Sequence, residues 1–474
     1  MLKTNISILL SILIFNGCAS LEPKLEPVDS NVIPKEWNTK IENNSTSNIN
    51  EIKPSWENFV QNETLKKVVE LAIKNNKDLK IAILNIESAR ATYRVSKADN
   101  FPTINANANT TRAKSLGSTN TTSISQNYNA NLSASYEIDL FGKIKSLNES
   151  ALNSYLSTKY AANNAKITLI NETITAWITL ANDMEQLKLA NETVENLQKV
   201  YELNEKKYKA GVISKADVLS ANASLKEAQI SKISYTKQIE QDKNALELII
   251  AQPLPKELLP KGFEDYQTWL IPVKAGLSSQ VLLNRPDVME AEYTLKAKNA
   301  NIEAARAAFF PSISLTASSG IASKSLSNLF DGGTGVWSFA PSITLPIFDG
   351  GQNSANLDYS YAQKDIALLE YEKTIQTAFK EVNNALITKA TINEQIQKQK
   401  ELVDSVSKSY DISLNSYKVG IGTYLEVLIN QRTKINAKQT LINTYLEDLT
   451  NQITLYGVLG GNENIEEKIE ERNF

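Results

Sequence analysis

Side chains able to do covalent or acid-base chemistry are few in this chain, and their spacing narrows the options further. Its 474 residues include no histidine and one cysteine, Cys18. Without histidine there is no imidazole base, no Ser-His-Asp or Cys-His arrangement and no His-ligated zinc. A lone cysteine closes no disulfide within the chain and builds no thiolate cluster. Beyond the start, the thioethers are Met184 and Met289, too few for a soft-metal relay. Carboxylate pairs such as Glu202 and Glu205 read as a solvated helical face. The lysines Lys199, Lys206, Lys207 and Lys209 are interleaved with acids, and the formal net charge is -3, so there is no basic field for nucleic acid. Arg285-Pro286-Asp287 carries charge, but proline followed by aspartate is also good chemistry for a helix start. The run Asp331-Gly332-Gly333-Thr334-Gly335 has the composition of a phosphate cradle. It joins two alternating strands rather than a strand to a helix, which makes it a hairpin turn. The expectation is a protein without catalysis, cofactor or metal.

Cys18 is instead placed for modification. Lys3 is followed by an apolar run from Ile6 to Phe15 and then by small residues around Gly17. Ten residues are too few for a membrane-spanning helix, which needs about 20, but they suit the core of an export signal. Phe15-Asn16-Gly17-Cys18 resembles a lipobox in its last two positions, while Phe15 and Asn16 stand where leucine and a small residue are usual. Lipidation at Cys18 would leave the mature chain without a thiol, and Ala19 after it would favour outer-membrane sorting.

The elements that carry these residues come in duplicate. Asp78 falls on Asp287, Ala98 on Ala307, and Phe101-Pro102-Thr103-Ile104 on Phe310-Pro311-Ser312-Ile313, all 209 residues apart. The same offset returns where Tyr208-Lys209-Ala210-Gly211-Val212 meets Tyr417-Lys418-Val419-Gly420-Ile421. In between, Thr175-Ala176-Trp177 matches Thr377-Ala378-Phe379 at 202, so the following stretch is one heptad longer in the second half, an insertion that keeps a helical seam in phase. Gln126 to Phe141 alternates Tyr128, Leu132, Tyr136 and Ile138 with Asn and Ser, and Thr103 to about Lys114 alternates Ile104, Ala106 and Ala108 with Asn, as half-buried strands do. Ile313 to Ala317 and Trp337 to Ile347 repeat the pattern. About 65 residues from Lys145 to Lys209, and again from Asn353 to Val419, lack Gly and Pro, which as helix is roughly 100 Å each. A core seam runs through Leu180, Met184, Leu187, Val194, Tyr201 and Tyr208, and in the second half through Ile392, Ile396, Val403, Val406, Tyr410 and Tyr417. Each rod ends at a glycine suited to positive φ, Gly211 or Gly420. Return helices follow from about Ala216 to Ala251 and from Tyr424 to Tyr456. Shorter helices are expected at Asn76 to Asp99 and Asp287 to Ala308. Pro253 to Pro260, Gly262, Pro272 and Gly276 mark an irregular insertion, and the charged tail from Asn462 reads as mobile. Four amphipathic strands cannot close a barrel, whereas three copies pooling them supply twelve, with apolar faces in lipid and Asn and Ser faces towards water.

The stretch Leu282-Leu283-Asn284-Arg285-Pro286-Asp287-Val288, continued by Ala304-Ala305-Arg306-Ala307-Ala308-Phe309-Phe310-Pro311-Ser312-Ile313, resembles the signature of TolC-like outer-membrane efflux proteins, in the lipoprotein branch typified by OprM, CmeC and CusC. The resemblance covers essentially the whole chain. It implies an α+β membrane protein in which duplicated helix-hairpin units form a trimeric 12-stranded outer-membrane β-barrel on a long periplasmic α-helical barrel. It divides the chain into a signal peptide (1–17), a lipid-anchored tail (18–62), helices of the first repeat (63–100), a β-hairpin (101–142), a long helical hairpin (143–251), an equatorial insertion (252–284), a helix of the second repeat (285–309), a second β-hairpin (310–349), a second helical hairpin (350–456) and a C-terminal tail (457–474). The implied role is the exit duct of a tripartite efflux system for drugs or other small toxic compounds. The implied partners are two further copies, a periplasmic adaptor, an inner-membrane RND-type transporter and the lipid bilayer. A protein-secretion duct and a lipid-anchored coiled-coil envelope protein are the alternatives; the second leaves the hairpins and the Arg-Pro-Asp motif unused.

The resemblance also places the periplasmic entrance at Ala210 to Ser214 and Val419 to Thr423. Many relatives carry an aspartate in the second tip, where this chain has Gly422 and Thr423. The expected gate is therefore held by apolar and hydrogen-bonding contacts of Val212, Ile213, Ile421, Thr423 and Tyr424 around Gly211 and Gly420. Asp217 and Glu426 supply cation preference.

Overall fold

The computed structural model describes residues 55–116, 122–272, 279–461 and 465. Cys18, the export signal and the charged tail apart from Ile465 lie outside the described residues. In chain order the elements are α1 (Trp56–Phe59), α2 (Glu63–Asn75), α3 (Lys77–Ala98), β1 (Thr103–Leu116), β2 (Thr122–Ile138), α4 (Lys143–Lys209), α5 (Lys215–Ile250), α6 (Pro286–Ala307), β3 (Ser312–Ser323), β4 (Gly335–Thr344), α7 (Gln352–Val419) and α8 (Tyr424–Val458). They group into two compact units, one of Asn85–Thr158 with Glu290–Glu372 and the other of the remainder.

The first unit holds one antiparallel sheet in the order β1-β2-β3-β4. Register follows the alternation of the sequence. Ile104 pairs with Ala134, Ala134 with Ala317, and Ala317 with Phe339, while Asn107 pairs with Asn131 and Ser318 with Ser338. One face is thus apolar. The other is a layer of amides and hydroxyls, bonded across strands by Asn107 to Ser133 (2.9 Å) and Ser318 to Ser338 (2.8 Å). Gly320 sits where a Cβ would lie 2.2 Å from the Ala130 carbonyl oxygen, so β2 and β3 approach only because no side chain intervenes. The apolar face is uncovered: Trp337 is 80% exposed and Ile343 70%.

Expected and observed ends differ for a physical reason. The strand expected to reach Phe141 stops at Ile138, because Asp139 turns its Oδ2 onto the Lys145 amide (2.8 Å) and starts α4 at Lys143. Asp349 does the same for α7, accepting from the amides of Gly351 and Asn353 at 2.9 Å each. The two rods are 67 and 68 residues long. The heptad gained beyond Phe379 is therefore offset by one lost before it, so rod length is conserved.

The second unit contains the C-terminal parts of α4 and α7, their return helices and the irregular insertion. Trp177 of α4, fully buried, donates Nε1 to the Leu258 carbonyl (2.9 Å) and meets Trp269 edge-on at 5.0 Å. Phe59 stacks on Tyr456 at 4.6 Å, and Val60 bridges to Leu270. The irregular insertion is thus anchored by aromatic side chains and by one backbone bridge.

Candidate functional site

Both helical tips are built the same way. At the first, the Gly211 amide donates to Tyr208 O and the Val212 amide to Lys207 O, with Gly211 at φ +73°; at the second, Gly420 donates to Tyr417 O and Ile421 to Ser416 O, with Gly420 at φ +91°. Each is a Schellman closure followed directly by a capping box. In the first box the Asp217 amide donates to Ser214 Oγ and the Ser214 amide to Asp217 Oδ2; in the second, the Glu426 amide donates to Thr423 Oγ1 and the Thr423 amide to Glu426 Oε2. Asp217 and Glu426, expected as selectivity charges, are thus also the acids that start α5 and α8. Val212 and Ile421 are exposed and Ile213 is half-buried.

The second tip is closely packed at Gly422, where a Cβ would lie 3.0 Å from Ser416 Cβ and 3.1 Å from the Tyr417 amide nitrogen, and Thr423 is the helix cap.

Beneath the tips the structure corrects two expectations. Tyr424, expected at the aperture, is buried with Val200, Ala221, Tyr410, Tyr417 and Val427, and burial pushes its phenol up to about 12. Tyr208, expected in the core seam, is 44% exposed, whereas its counterpart Tyr417 is 3% exposed. Tyr417 donates its hydroxyl to Asn204 Oδ1 at 2.6 Å and packs on Tyr424 at 5.7 Å between ring centres. Lys207 Nζ lies 3.9 Å from the Tyr417 ring centre and donates to the Tyr417 carbonyl. This link between the two hairpins is invisible in the sequence, because Asn204 and Lys207 sit in an ordinary polar helical run.

Arg285-Pro286-Asp287 does open a helix, with Pro286 as the first residue of α6. Arg285 does more than precede it. Its guanidinium grips Asp287 with two bonds (3.0 and 2.7 Å), Glu381 of α7 (2.9 Å) and the Val458 carbonyl that ends α8 (2.8 Å). Burial works against the charge, but the Asp287 and Glu381 carboxylates outweigh it and raise the arginine's pKa. Glu381 carries no local signal, since its partner is 96 residues away in sequence.

A second charged feature lies in the first hairpin. Asp183 of α4 faces Asp242 of α5, and burial together with that neighbour pushes the Asp183 carboxyl up to about 6. Asn182 Nδ2 donates to Asp183 Oδ1 at 3.0 Å. Among the described residues no group of three or more metal-ligating side chains is present.

The chain has one four-stranded sheet and two duplicated long helical hairpins, and residues 68–252 and 277–461 match the outer membrane efflux protein family. The chain belongs to that family. It is 40% identical over 417 residues to the solvent efflux pump outer membrane protein SrpC of Pseudomonas putida, covering 87% of this chain and 88% of that one. It is 34% identical over 466 residues to the probable outer membrane lipoprotein SilC of Salmonella typhimurium, covering 97% and 99%. The open-state structure of the Neisseria gonorrhoeae MtrE outer membrane channel superposes with a TM-score of 0.83 at 33% identity, over 94% of this chain and 98% of that one. This efflux protein has the TolC-like channel fold, mostly helical with one sheet, and its place is the bacterial outer membrane. The family's two matched segments coincide with the two halves of the duplication, and the Arg285 clamp stands at the start of the second.

Proposed function

We propose that this efflux protein is the exit duct of a tripartite pump, working as a homotrimer anchored by lipid on Cys18 and docking a periplasmic adaptor and an inner-membrane RND-type transporter. The observation that carries this reading is the sheet. Its strands β1 and β4 have unpaired outer edges in a single chain, one face is apolar and uncovered, and the other is a continuous layer of Asn and Ser. Such a sheet aggregates in water, but three copies joined edge to edge give twelve strands with the apolar face in lipid and the amide face around a pore. The cargo is drugs or other small toxic compounds; the relative SrpC is named for solvent efflux. Val212, Ile213, Ile421 and Thr423 line the inner aperture, Tyr424 supports it from within the hairpin, and the charges of Asp217 and Glu426 favour cations.

Purified in detergent, the full chain should run as a trimer, conduct in planar bilayers, and show by mass spectrometry a lipid adduct on Cys18 with residues 1–17 removed. A stable monomer that keeps its full β-content and does not conduct would overturn the duct.

A further inference from the structure

Away from the tips, helices α4, α5 and α8 line a half-open cavity of about 360 Å³, within the range that holds small organic molecules. Its lining is mixed, with an apolar part made by Leu189, Ala190 and Leu197 of α4, Ala228 of α5, and Leu428 and Ile435 of α8. Into this wall α8 sets Gln431, 5% exposed, whose buried Oε1 accepts no hydrogen bond among the described residues.

The neighbouring polar groups do not relieve it. The hydroxyls of Thr193, Ser224 and Ser231 donate to the carbonyls of Leu189, Ser220 and Glu227 on their own helices. At the rim, Arg432 is paired with Glu227 at 3.2 Å. A buried acceptor left without a donor is unfavourable. Of the lining amides, Asn436 is exposed and the half-buried Gln439 donates Nε2 to the Tyr235 hydroxyl (3.3 Å), which leaves Gln431 Oε1 as the buried lining acceptor without a donor among the described residues.

We propose that this cavity binds one small amphiphile per protomer, a phenol or alcohol whose hydroxyl donates to Gln431 Oε1 and whose hydrocarbon body packs on the leucine, isoleucine and alanine wall. The site lies between the two helical hairpins rather than at the tips, so it goes beyond the duct reading and does not depend on it. Bound there, the molecule bridges three helices and stabilises their packing by mass action.

The test uses the full chain in detergent, titrated calorimetrically with 4-propylphenol and with 4-propylanisole, which has similar bulk but no donor, each against a detergent blank. One equivalent of 4-propylphenol per protomer should bind and raise the melting temperature, and 4-propylanisole should bind about tenfold more weakly, as expected for one lost hydrogen bond. Gln431→Leu should bring both probes to the weaker level. Ala228→Phe, which fills the cavity, should abolish binding of both; Ala190→Leu is the milder filling variant if the first does not assemble. Equal binding of the two probes to the unaltered protein, undiminished binding to the filled variants, or no binding at all because water or a neighbouring protomer occupies the cavity, would each overturn the proposal.

Discussion

The two helical tips share a sequence pattern, a Schellman closure and a capping box, yet they are not equivalent. Tyr208 at the first points to solvent, while Tyr417 at the second is enclosed by Tyr424, Asn204 and Lys207. Local sequence sets the turn in the same way twice. Which tyrosine becomes core depends on the neighbouring hairpin, and the second tip is therefore the one fastened to the first hairpin through its side chain. An aperture built on these tips has one freely exposed loop and one tethered loop per chain.

The sharpest way to break this comparison is to truncate both tyrosines. Tyr417→Ala removes a buried ring and leaves Asn204 without its hydroxyl donor, a loss of about 3–5 kcal/mol by analogy with large aromatic truncations. Tyr208→Ala removes an exposed ring and should change stability by about 0.5 kcal/mol or less. Thermal melting of the detergent-purified protein and resting conductance in bilayers should both move for Tyr417→Ala and stay near the parent for Tyr208→Ala. Equal effects would mean that the tether does not hold the second tip.

The tip glycines separate strain from crowding. At Gly211 an added methyl group meets nothing within 4 Å, so Gly211→Ala is opposed only by positive φ, at about 1 kcal/mol. Gly422→Asp instead drives a side chain against Ser416 and the Tyr417 backbone, an overpacking worth about 1–3 kcal/mol. Its melting temperature should fall further than that of Gly211→Ala. A Gly422→Asp protein as stable as its parent would show that the tight approach yields to a side chain there.

The smallest effect concerns the helical hairpins behind the tips. The first carries the Asp183 and Asp242 pair, whereas the second has Ala385 or Ile392, depending on the offset, opposite Asn451. Asp183 is raised from 3.8 to about 6, so the folded state binds more protons than the unfolded chain between those values. Stability from this group is therefore highest near the acid end of that window and falls as pH rises through about 6. With the pair only partly buried, solvent screening limits the effect to on the order of 1 kcal/mol. Asp183→Asn should melt higher than the parent at pH 7 and lose the difference near pH 4. A melting difference that does not change with pH would remove the pair as its cause.

Much of this was legible in the sequence because it is local or repeated. The duplication, the four alternating strands, the Gly-free and Pro-free rods and the turn glycines each depend on residues within a few positions of one another, or on a match at a fixed offset. The exceptions have equally plain causes. Asp139 reads as one more polar position of a strand until it is seen to cap α4. Tyr208 and Tyr417 stand at the same place in a shared Tyr-Lys-x-Gly pattern and have different neighbours in space. Glu381, Asn204 and Lys207 act on partners about 96 to 213 residues away, where pattern and propensity carry no information.

By itself the sequence determined what backbone geometry and binary pattern control: strand parity, rod length and the positive-φ turns, along with a family signature around Arg285. The tertiary structure alone decided which of two equivalent tyrosines is buried, how Arg285 ties three helices together, and that Gln431 faces a cavity. These depend on the approach of segments far apart in the chain, and close packing lets a difference of one side chain's position decide between core, contact and cavity.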